Sequence, residues 1–122
     1  MQFPRSVLLA DDHEEFRAAV VRHLEPYVEV VRTVDNGEAL LKEAVRHEPD
    51  VIVLDISMPV LNGIETARKL SAIGLPARIV FLTVQADPAY VDVALATGAL
   101  GYVLKSELAS DLIPIIVVEV RK

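Results

Sequence analysis

Five short apolar runs recur along the chain, at Val7–Ala10, Val28–Val34, Val51–Leu54, Ile79–Thr83 and Gly101–Leu104, and a stretch with helical spacing follows each one. Runs rich in β-branched residues and bounded by Pro, Gly, Asp or Asn read as strands. Between them, Phe16, Val20 and Leu24 share a face over 13–24, and Ala39, Leu40 and Ala44 over 36–46. Ile64, Ala67, Leu70 and Ile73 do the same from residue 63, and Val91, Ala94 and Leu95 over 88–97. The last helix is expected to start near Ser110 or Asp111, which can cap it, with Pro114 in its first turn, where a missing N–H costs little. Its Ile-Ile-Val-Val run is poor helix material, and a strand is the alternative there. Repeated strand–helix units imply an α/β fold, a parallel sheet with helices on both faces. Right-handed crossovers leave few topologies, and ligands in such sheets bind beyond the carboxyl ends of the strands.

With 122 residues, 52% hydrophobic and 25% charged, the chain is expected to form one globular domain over 1–122. It has no cysteine, so disulfides and thiolate metal sites are excluded. Only four apolar residues, Val7 to Ala10, precede the first aspartates, too few for a signal peptide, and the later run Leu112 to Val118 is too short to span a bilayer. A soluble, cytoplasmic protein without a membrane partner is the expectation. A net charge of −6 argues against direct nucleic-acid binding by this chain.

The carboxyl ends of the runs carry an unusual set of side chains. Asp11 and Asp12 follow the first run, Asp55 follows the third, the fourth ends at Thr83, and Lys105 follows the fifth. Asp35, Asn36 and Gly37 after the second are assigned to turn and cap roles. Taken singly, an Asp after a strand is usually a helix cap, a Thr is strand chemistry and a Lys is surface. All five should nevertheless converge on one edge. Each pair of clustered carboxylates about 4 Å apart costs on the order of 4 kcal/mol at an effective dielectric of 20, which a divalent cation relieves. Oxygen-only donors suit Mg²⁺, an Asp can attack phosphorus as a nucleophile, and Thr and Lys can hold phosphoryl oxygens.

These residues resemble the receiver domains of bacterial two-component response regulators. The resemblance rests on Asp11-Asp12, on Asp55-Ile56-Ser57-Met58-Pro59 with Asn62-Gly63-Ile64-Glu65, on Thr83, and on Gly101-Tyr102-Val103-Leu104-Lys105. It spans essentially the whole chain. It implies a (βα)5 flavodoxin-like fold with strand order 2-1-3-4-5. By the same resemblance, Asp55 is the phosphoacceptor. Asp12, Asp55 and the backbone carbonyl of Ser57 ligate Mg²⁺, and Asp11 acts through water. Thr83 and Lys105 bind the phosphoryl group, and Thr83 and Tyr102 form the switch. A sensor histidine kinase is the implied phosphodonor. The Asp-Asp-His and Leu-Thr-Val segments are similar to receivers that precede helix-turn-helix DNA-binding domains, which makes a C-terminal output domain outside this chain, and transcriptional regulation, the expectation. Ser106 stands where many receivers have a Pro in a cis peptide, leaving that geometry open. Val84 stands where small residues are usual, and Ser57 and Gln85 sit where side chains can reach the phosphoryl group.

Two other readings use the same residues. A haloacid-dehalogenase-type phosphohydrolase wants its nucleophile after the first strand and a second Asp two residues on, but here position 57 is Ser. A receiver that only binds partners usually lacks the acidic pair or the Lys, and this chain keeps both. His13, His23 and His47 are scattered, with His13 expected exposed on the first helix turn. From Ile79 to Leu104 the only charged residues are Asp87 and Asp92. Tyr90, Val93, Ile115 and Val118 are therefore expected to be surface apolars, forming a dimer or output interface on the fourth helix, fifth strand and fifth helix.

Overall fold

The computed structural model describes residues 6–58, 61–75, 78–84 and 88–121. Five strands, β1 (Ser6–Ala10), β2 (Glu29–Val34), β3 (Val51–Asp55), β4 (Arg78–Thr83) and β5 (Gly101–Leu104), alternate with helices α1 (Glu14–Leu24), α2 (Gly37–His47), α3 (Gly63–Ile73), α4 (Pro88–Ala96) and α5 (Leu108–Arg121). Every strand pair is parallel, as the repeated strand–helix units predict, and the sheet order is β2-β1-β3-β4-β5, the order that the family resemblance implies.

The two-residue period of the strands divides the core into two layers. Leu8, Ala10, Ile52, Leu54 and Phe81 pack beneath α2, α3 and α4 through Leu40, Ala44, Ile64, Ala67, Leu70 and Ala94. Val7, Leu9, Val51, Val53, Val80, Leu82 and Val103 pack on the other face against α1 and α5 through Val20, Leu24, Leu112 and Ile116. Every residue of β3 is buried, as its continuous apolar run requires of a central strand.

Local chemistry sets the helix starts. Asn36 accepts a hydrogen bond from the Ala39 amide at 2.8 Å and Asn62 from the Glu65 amide at 2.9 Å, satisfying donors that have no partner inside the helix. Gly63 is sterically required: a Cβ there would collide with the carbonyl oxygen of Asp55, because the Gly63 amide donates to the Ile56 carbonyl at 2.8 Å.

Several helix readings need correction. The final helix does not begin at Ser110 or Asp111. A 3-10 turn over Lys105–Glu107 runs directly into α5 at Leu108, so Pro114 lies in the second turn, inside the helix. The Ile-Ile-Val-Val segment is helical, not a strand. Ile73 and Leu95, placed by spacing on buried faces, are 52% and 43% exposed. Ile73 closes α3 and Leu95 is the penultimate residue of α4.

Candidate functional site

The strand register builds the site. Ala10 pairs with Leu54 and Asp55 with Leu82, so Asp11 and Asp55 follow one another across the sheet edge, and Thr83, paired with Leu104, stands one residue higher. Asp11 extends the β1–β2 ladder by one residue, its amide donating to the Val34 carbonyl at 3.0 Å, and it is fully buried. The Arg17 guanidinium donates to its backbone carbonyl at 2.7 Å. Its Oδ1 accepts the His13 amide at 2.8 Å. Its Oδ2 lies 2.8 Å from Lys105 Nζ, an ion pair that lacks hydrogen-bond geometry.

Asp55, only 2% exposed, closes β3. Its Oδ1 accepts the Ser57 amide at 3.2 Å and its Oδ2 accepts the Lys105 ammonium at 3.2 Å. Lys105 thus bridges two buried carboxylates, and its Nζ also sits 4.7 Å from the centre of the Phe16 ring. Burial above all, and then the Asp11 charge, push the Asp55 carboxyl up from 3.8 to about 6; Lys105 and the Ser57 amide pull the other way without cancelling the rise.

Asp12 is more open, with a side chain 31% exposed. Carboxylate oxygens of Asp11, Asp12 and Asp55 and a ring nitrogen of His13 all lie within 4.8 Å of one another. A cleft of about 400 Å³ opens over this cluster, lined by His13, Asp55, Ser57, Met58, Asn62, Thr83, Val84 and Lys105. The donor set is oxygen-rich and anionic and fits a small divalent cation. Among the described residues no helix is long and apolar enough to cross a membrane.

The sequence-based site residues Asp11, Asp12, Asp55, Ser57, Thr83 and Lys105 therefore converge. Tyr102 does not line the cleft. It is partly buried against the layer under α2–α4 and pairs with Phe81. Val84 stands at the mouth, 68% exposed. The peptide between Lys105 and Ser106 is not cis. Gln85 lies outside the described residues, as do the side chains of Tyr90 and Val118. Val93 is 38% exposed, whereas Ile115 is not a free surface apolar: it packs on the α1–α5 layer beside Gly101. Sequence reasoning missed Phe16 and Arg17 and set His13 aside. The 3.6-residue period gives the core face of α1, but not how its first turn sits over β1 and β5.

The family model of the response regulator receiver domain matches residues 7–117. The chain is 39% identical over 109 residues to the transcriptional regulatory protein DegU of Brevibacillus brevis, covering 88% of this chain and 46% of that protein. It is 40% identical over 114 residues to the nitrate/nitrite response regulator protein NarL of Escherichia coli (strain K12), covering 92% and 53%. Among solved structures, the signal receiver domain of NarL from Mycobacterium tuberculosis superposes with a TM-score of 0.83 at 34% identity, covering 93% of this chain and 96% of that one. A LuxR-family DNA-binding response regulator from Staphylococcus aureus gives 0.87 at 27%, covering 92% and 95%. This chain belongs to the response-regulator receiver family. It spans about half the length of the curated relatives it matches.

Proposed function

We propose that the domain is a phosphorylation switch with Asp55 as the phosphoacceptor. The observation that carries this is the largely buried ammonium of Lys105, held 2.8 Å from Asp11 and 3.2 Å from Asp55 and lining an open cleft. An Asp55 oxygen attacks phosphorus, the bond from phosphorus to the donor's leaving atom breaks, and the donor departs with that electron pair. With a sensor histidine kinase as donor, the leaving atom is a phosphohistidine nitrogen. Lys105 and the Thr83 hydroxyl then hold phosphoryl oxygens. Asp12, Asp55 and the Ser57 carbonyl would hold Mg²⁺, with Asp11 acting through water, and the ion supplies charge neutralisation for the incoming phosphoryl group. Because the new phosphoryl oxygens compete for Lys105 and Thr83, the switch passes to Tyr102 and the α4–β5–α5 face. There it controls self-association or a C-terminal DNA-binding output domain and, through it, transcription.

Incubation with acetyl phosphate and Mg²⁺ should give a stable, stoichiometric acyl phosphate. Asp55→Asn should abolish it with the fold intact. Continuous phosphate release without an accumulated adduct would indicate a phosphohydrolase instead, and no adduct at all a receiver that only binds partners.

A further inference from the structure

We propose that His13, in the phosphoacceptor site as read above, is a nitrogen donor that makes this pocket favour first-row transition metals over Mg²⁺. Its Nδ1 lies 3.1 Å from Asp12 Oδ1 and 3.5 Å from Asp11 Oδ1. Two donors each about 2.1 Å from one octahedral ion stand about 3.0 Å apart when adjacent, and His13 and Asp12 already have that spacing.

The backbone at this position is fixed. The His13 amide donates to Asp11 Oδ1 at 2.8 Å and its carbonyl accepts the Arg17 amide at 2.8 Å, setting it at the head of α1. The imidazole, 66% exposed, lines the cleft. Lys105 engages the Oδ2 atoms of Asp11 and Asp55, so it does not take the Oδ1 atoms that lie beside the imidazole. Mg²⁺ takes oxygen donors and gains nothing from this nitrogen. Ni²⁺, Co²⁺ and Zn²⁺ prefer imidazole, and their affinities for mixed nitrogen and oxygen sites exceed those of harder ions. His13 is thus a specificity-determining residue for the ion in the pocket.

Calorimetric titration with Ni²⁺ and, separately, Mg²⁺ tests this on wild type, His13→Ala and Asp12→Ala. His13→Ala should weaken Ni²⁺ binding by roughly tenfold or more and leave Mg²⁺ binding within about twofold, since one imidazole ligand is lost and no oxygen. Asp12→Ala should weaken both. Pulsed electron paramagnetic resonance of the Mn²⁺-loaded protein should show a ¹⁴N coupling that His13→Ala removes. Unchanged Ni²⁺ affinity in His13→Ala would overturn the proposal. So would equal losses for both ions, because His13 would then merely orient Asp12. His23 and His47 remain in the variant, so they cannot produce the difference. An absence of phosphoryl labelling on Asp55 would count against the phosphoacceptor reading alone, since the nickel titration measures nitrogen ligation by itself.

Discussion

Helices α3 and α4 cover the same face of the sheet and are held there very differently. Helix α3 is tied down at its start by the Asn62 cap and by Gly63 pressed against the Asp55 backbone, and Ile64, Thr66, Ala67 and Leu70 are buried beneath it. In α4, Ala94 is fully buried while Val93 and Leu95 are 38% and 43% exposed. The phosphoacceptor stands on the firmly anchored side, and the side that shows less buried apolar surface among the described residues is the one that the proposed switch moves. Elements with few buried contacts open at low free-energy cost, so one domain can keep a preorganised pocket and still carry a displaceable surface.

Leucine truncation should expose this contrast most strongly. Leu70→Ala should cost about 2–5 kcal/mol in urea unfolding, because it leaves a cavity under α3, whereas Leu95→Ala should stay within about 0.5 kcal/mol. Comparable losses would mean that α4 is anchored as firmly as α3.

The pocket stores a penalty of similar size. In the folded protein the Asp55 carboxyl is raised from 3.8 to about 6, so folding favours its protonated form. Well below pH 3.8 it is protonated in both states and costs nothing. As pH rises toward about 6 the unfolded chain ionises first and stability falls, levelling off above that at roughly 3 kcal/mol. Asp55→Asn, neutral at every pH, should therefore be more stable than wild type at pH 7.5 without divalent ions, by up to about that amount, with the difference vanishing well below the ordinary carboxyl value of 3.8. A variant that is less stable at pH 7.5 would show that the Lys105 pair outweighs burial.

The smallest contrast lies between two glycines. Gly63→Ala forces a Cβ into the Asp55 carbonyl and should cost about 1–3 kcal/mol, with loss of phosphorylation, because the nucleophile's own backbone must move. Gly98, just past α4 at φ 89°, has open space around it, so Gly98→Ala pays only for its backbone conformation, about 1 kcal/mol, and phosphorylation should survive. Equal phosphorylation of both variants would separate Gly63 from the pocket.

The sheet was legible because its central strands are nearly continuous apolar runs and β2, at the edge, still alternates around Val30, Val31 and Val34, and the site because its residues sit where those runs stop. What the sequence did not reveal depended on how elements meet. Leu95 and Ile73 satisfy helical spacing but stand in the last turns of their helices, about half exposed. The start of α5 was misplaced because capping signals at Ser110 and Asp111 are real: Ser110 Oγ does hydrogen-bond locally, to the Glu107 carbonyl at 3.2 Å, but inside a helix already under way from a 3-10 turn. Ile115 falls opposite the apolar face of α5 by angle, yet β5 at Gly101 has no side chain there, and Ile115 packs beside it. The Phe16 ring beside Lys105 joins elements distant in sequence, and Arg17 reaches the Asp11 carbonyl six residues back across a turn that helical spacing does not describe.

The central claim is that Asp55 receives the phosphoryl group. Borohydride reduces an aspartyl phosphate to homoserine, which marks the modified residue permanently. After treatment with acetyl phosphate and Mg²⁺, then borohydride, proteolysis and peptide mass spectrometry should find homoserine at position 55 and Asp at positions 11 and 12. Homoserine at 11 or 12, with Asp55 unmodified, would contradict the account.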